Sequence, residues 1–160
     1  MGFPDFDEFI RKMLMGIAKQ FKLMALLEDR VINRDKPNFE EDLPIVAEVF
    51  SLGGKKILTV DELKKMNDSF YSSPNVPFIP PSIWKKAKKN YEKLKNMEEE
   101  LDYEKSIIAH LAMIYQTLFL TISSGSRDSS YINMVIKEFS KFLDRLREGK
   151  FKFYSGVDML

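Results

Sequence analysis

Phe6, Phe9, Ile10, Met13, Leu14, Ile17, Phe21, Met24 and Leu27 recur at steps of three and four residues. That spacing places apolar side chains on one face of an α-helix. Asp5 and Glu8 stand just ahead of the run in the D-x-x-E form of a capping box, so the chain is expected to open with a helix from about Phe6 to Asp29. Met15, Leu23 and Leu26 fall off the main stripe. The apolar face is broad enough that this helix should touch more than one neighbour.

Asn33 to Asp42 is polar and holds Pro37, the pattern of a loop. Pro44 then suits a first helical position, and Ile45, Val46, Val49, Phe50 and Leu52 follow before Gly53-Gly54. A short helix is expected, with a strand as the alternative because of the β-branched content. Thr59 and Glu62 form a second capping box, opening a helix to about Phe70. Pro74, Pro77, Pro80 and Pro81 forbid helix between Ser72 and Pro81 and favour extended backbone. Val76, Phe78 and Ile79 between them predict a segment pressed against the core, connecting an N-terminal part to a C-terminal helical hairpin within one domain.

Ser82 is the expected cap of the longest helix, Ile83 to about Ser123. Ala87, Leu94, Leu101, Ile108, Tyr115 and Ile122 recur along it every seven residues. At about 1.5 Å per residue it would be roughly 60 Å long, too long for a small domain, so a bend is expected near Asn96 to Asp102. Ser123 to Ser130 reads as a turn. Asp128 caps a last helix carrying Ile132, Val135, Ile136, Phe139, Phe142, Leu143 and Leu146, and Gly149 stops it. The fold class is therefore all-α: a bundle of about five helices around a long central helix, one domain over residues 1–149, followed by an apolar tail over 150–160.

Composition narrows what such a bundle can do. The 160 residues include 25 basic and 24 acidic side chains, so overall charge cannot hold the protein to nucleic acid or an anionic membrane. Cysteine is absent, which excludes disulfides, thiolate nucleophiles and cysteine-held metal or iron–sulfur centres. A single histidine excludes a multi-histidine metal site. Arg11, Lys12, Lys19 and Lys22 interrupt the first apolar segment, and Asp5, Asp7 and Glu8 precede it, unlike a signal or transit peptide. Phe6 stands where a myristoylation pattern needs Ser or Thr. A cytoplasmic location is expected.

The order of the charges says more than their sum. Lys85, Lys86, Lys88, Lys89, Lys93 and Lys95, with Trp84 and Tyr91 among them, resemble a nucleic-acid surface of phosphate contacts and stacking rings. At about 100° per residue, however, Ile83, Trp84, Ala87, Tyr91 and Leu94 share the apolar face and the lysines take the remaining arc, so a solvated helix face outweighs the binding reading. Glu98, Glu99, Glu100, Asp102 and Glu104 follow at once. Basic-then-acidic order opposes the dipole of one continuous helix, so either the helix breaks there or the patches meet a partner of mixed charge. Adjacent glutamates on a helix diverge and no calcium-loop spacing is present, so no metal is assigned.

Ser106 to Ile122 is apolar nearly all round apart from the narrow stripe Tyr103, Ser106, His110, Thr117 and Thr121, as in a central helix packed on most sides; membrane spanning is the weaker reading. His110 has no Glu three residues before it and no nucleophile elbow to serve, so a hydrogen-bonded structural histidine is expected. Gly53-Gly54-Lys55-Lys56 lacks the rest of a phosphate loop, and the Arg127 loop is better explained as a turn and cap than as an anion site. No catalytic constellation, cofactor or small-molecule substrate emerges. Phe151, Phe153, Tyr154, Met159 and Leu160 in the tail suit packing on the core or binding another subunit. The expected function is a non-catalytic helical interaction protein, a subunit of an oligomer or larger complex. The alternative is a nucleic-acid-binding protein using the Lys85–Lys95 face.

Overall fold

Side-chain caps set where four of the helices begin. The computed structural model describes residues 4–49 and 59–150, and among these the fold is all-α, with six α-helices and no strand. The first, α1, runs Pro4–Asn33, four residues beyond its expected end, where Asn33 Nδ2 donates to Asp29 Oδ1 at 2.6 Å. The second, α2, is Phe39–Val49 and so begins well ahead of Pro44, which lies inside it rather than at its first position. Asn38 is the reason. Its Oδ1 accepts from the Glu41 N–H at 3.1 Å and its Nδ2 reaches Glu41 Oε2 at 3.3 Å, a reciprocal cap that also lets Phe39 and Leu43 enter the core. Pro44 forfeits one intrahelical bond for that burial.

The Thr59–Glu62 box works as expected: Thr59 Oγ1 accepts from Glu62 N–H at 3.2 Å and opens α3, Val60–Tyr71. Within the proline segment Val76 and Ile79 turn inward, but Phe78 does not. It has φ 69° and is 85% exposed. Trp84 Nε1 donates to Ser73 O at 2.9 Å and pins the start of the segment to the next helix. That helix, α4, is Pro81–Met97, with Pro80 at the N-cap. Ser82 is therefore inside it rather than its cap. Pro81 takes the first helical position, where a missing N–H forgoes no helical bond.

The expected long helix is two helices. A 3₁₀ turn at Glu98–Glu100 and an extended Leu101 end α4, and Asp102, accepting from Lys105 N–H at 2.8 Å, caps α5, Tyr103–Ser123. The break relieves part of the dipole conflict, although Glu98–Glu100 stay at the C-terminal end of α4, where Glu98 is met by Lys64 and His110. Lys95 lies in the last turn of α4, and Asp102 and Glu104 lie at the start of α5, each beside the helix end it favours. Asp128 accepts from Tyr131 N–H at 2.8 Å and caps α6, Ser129–Arg147, which Gly149 closes at φ 74°.

α5 is the centre of the bundle and packs against all five other helices. The chain reverses at the break: Asn90 meets Gln116 and Glu98 meets His110, so α4 and α5 are antiparallel. Lys86 meets Asn133 and Lys93 meets Ser140, so α4 and α6 run parallel. α1 and α2 form an antiparallel hairpin, with Arg30 at Asp42 and Lys19 at Glu48. Phe39 fills the middle, its ring 5.3 Å from Phe139, 5.2 Å from Phe142 and 6.0 Å from Tyr115. Tyr71 stacks between Trp84 and Tyr91. The 21-residue α5 is long and apolar enough to cross a membrane, yet most of it is buried inside the bundle.

Candidate functional site

The polar groups of α5 are the first place to look for chemistry, and they are closed. His110, 0% exposed, sits between α3 and the 3₁₀ turn. Asn67 Nδ2 donates to His110 Nδ1 at 3.0 Å and to His110 O at 3.1 Å. With Nδ1 accepting, the ring proton is on Nε2, which donates to Glu98 Oε1 at 3.0 Å. Burial lowers the histidine below its usual pKa, and the Glu98 charge only partly opposes this, so the neutral ring is the stable form. Glu98 also pairs with Lys64 at 3.7 Å, and Tyr91 donates to Asp68 nearby. Both ring nitrogens are engaged.

Two further clusters were not legible as such in the sequence. Tyr71 O–H donates to Met113 O and accepts from Thr117 and Gln116, while Asn90 Nδ2 donates to Gln116 Oε1 at 2.7 Å. Burial pushes the Tyr71 phenol up to about 12. Below α1, Asp42 is buried and accepts at Oδ1 from Arg30 at 2.9 Å and Arg34 at 3.0 Å, and at Oδ2 from Tyr115 at 2.6 Å. Burial and then the Asp42 charge raise the Tyr115 phenol. Arg30 and Arg34, one helical turn apart, were the only sequence signal of this cluster. Arg127 donates to Ile32 O at 2.6 Å and Arg34 O at 3.0 Å with its guanidinium over the Tyr131 ring, so it joins the turn to α1.

The lysine cluster divides. Trp84 and Tyr91 are buried, as the helical wheel requires, and offer no ring to stack a base. Lys93 is half-buried and bound to Ser140 and Asp144 Oδ2, the latter at 2.9 Å; Lys86 donates to Asn133; Lys88 lies over Trp84 and Lys95 over Tyr91. Lys85 and Lys89 are exposed, with Glu92 close by on the same helix. Of the acids, Glu98 serves His110, Asp102 is a cap, and Glu100 faces Arg147 at 3.8 Å. No cluster of metal-ligating side chains occurs among the described residues. Lys55 and Lys56, and the tail residues Phe151, Phe153, Tyr154, Met159 and Leu160, lie outside the described residues.

What remains is apolar surface, and it is concentrated. Of the eight large hydrophobic side chains exposed among the described residues, five lie on α1: Leu14, Met15, Phe21, Leu26 and Ile32. Among the described side chains of that helix Leu27 and Val31 are fully buried, with Leu23 and Met24 partly so. The Lys19–Glu48 pair, 3.5 Å, sets residue 19 beside the end of α2, so the first half of α1 runs on past its hairpin partner. Phe21 is 72% and Met15 71% exposed. Comparison with protein-family models, with curated proteins and with solved structures finds no match for this chain.

Proposed function

We propose that the protein is a non-catalytic helical assembly subunit that engages its partner through the outer face of α1. The carrying observation is the concentration of exposed apolar side chains on that one helix, when exposed patches of this kind on soluble proteins commonly mark interfaces. The closed state of His110, with both ring nitrogens bound inside the bundle, supports a non-catalytic reading. Replacing Leu14 and Phe21 by Lys tests it. The double variant keeps the helical circular dichroism of the parent but loses association, read by light scattering and by co-purification from the source cells. A parent that is monomeric at high concentration and recovers no partner overturns the proposal.

Nucleic-acid binding through Lys85 and Lys89 has weaker support, because the neighbouring rings are buried and all four of the other lysines hold partners in the protein. It calls for binding with a steep salt dependence that disappears in a Lys85→Glu, Lys89→Glu variant. Absence of any shift at low salt with DNA or RNA ends that reading.

A further inference from the structure

The exposed face of α1 carries its own pairing code. Arg11, Leu14, Ala18, Phe21, Ala25 and Glu28 alternate at three- and four-residue steps, the seven-residue repeat of a helix–helix seam. All six are exposed, so the seam is not the one packed on the bundle, which uses Leu27 and Val31. Neither Arg11 nor Glu28 has an ion-pair partner among the described residues.

Resting on the assembly reading above, we infer that the occupant of this face is a second copy of the chain, its α1 antiparallel to the first. With a twofold axis between Lys19 and Gln20, Phe21 of one copy lies over Ala18 of the other, Leu14 over Ala25, and Arg11 opposite Glu28. Each large side chain meets a small one, which lets the helices approach, and each end of the seam closes on opposite charges. The self-complementarity is what a twofold interface requires. The parallel alternative sets Arg11 on Arg11, Glu28 on Glu28 and ring on ring, so charge and volume both select the antiparallel form. The seam spans residues 11–28, roughly 27 Å of helix at about 1.5 Å per residue, which is small beside a typical stable interface of about 1,600 Å². The dimer is accordingly concentration-dependent.

Sedimentation equilibrium of the full chain, from low to high micromolar, tests the assignment. A monomer–dimer equilibrium is expected. Arg11→Glu alone and Glu28→Arg alone each weaken it about tenfold or more, and the two combined restore it, because the same opposite-charge pair is rebuilt in reverse. Circular dichroism of all three variants matches the parent. Dimerisation untouched by the single reversals, or not recovered in the double variant, overturns the pairing. A strictly monomeric parent overturns it as well. In that case a defined heterologous partner that is lost on Phe21→Lys leaves the broader assembly reading standing, whereas no partner at all removes both.

Discussion

α1 and α5 are both long helices rich in apolar residues, and they end in opposite environments. α5 packs against every other helix, and its polar side chains are matched: His110 by Asn67 and Glu98, Gln116 and Thr117 by Tyr71, Tyr115 by Asp42. Among its described side chains α1 buries Leu27 and Val31 near its C-terminal end and leaves Leu14, Met15 and Phe21 in solvent. Apolar content therefore says that a surface is to be covered, not by what. His110, Tyr115, Gln116 and Thr117 find their partners inside the chain, while α1 leaves large apolar side chains exposed, the surface on which the proposed assembly rests.

Core truncation breaks the contrast most sharply. Phe119→Ala in α5 removes a ring that is 1% exposed and should cost about 3–5 kcal/mol in urea unfolding. A loss below about 1 kcal/mol would mean that α5 is not the packed centre. Asp42→Ala comes next. It leaves the Tyr115 hydroxyl without its acceptor and Arg30 and Arg34 with Glu41 alone, and should cost about 2 kcal/mol, measured the same way, with Tyr115→Phe milder because the ion pairs survive.

Acid acts on the same helix. Burial keeps His110 neutral in the fold, while in the unfolded chain it takes up a proton below its ordinary pKa of about 6.5. The stability that the neutral ring represents is fully present above that pH and is lost as pH falls beneath it. Thermal midpoints that decline from pH 7 to pH 5 in the parent, and less steeply in His110→Gln, are the expected result; identical slopes would contradict it. Asp102→Ala removes only a cap and should cost about 1 kcal/mol by denaturant unfolding. Smallest of all, Phe21→Ala should leave monomer stability within about 0.5 kcal/mol while changing association.

Local rules made much of this architecture readable. The Thr59–Glu62 box, the Asp128 cap, the Gly149 stop and the inward turn of Trp84 and Tyr91 depend on residues within one or two helical turns of each other. The misreadings arose where two local signals competed. At Asn38 and Pro44 the proline rule pointed to a later start, but the reciprocal Asn38–Glu41 cap and burial of Phe39 prevailed. Four prolines predicted a segment held on the core without showing that Phe78 would turn outward.

The sequence by itself determined the helical class, the turn at Ser123–Ser130 and the place where the charged stretch interrupts the longest apolar seam, because periodicity, capping and helix dipoles act over a few residues. Only the tertiary structure decided which apolar faces are covered. Asp42 reaches Tyr115 and Asn67 reaches His110 across long stretches of chain, and the broad stripe of α1 is divided into a buried seam and an exposed one by where α2 and α5 lie. Burial depends on distant partners, and spacing along one helix carries no information about which of them arrives.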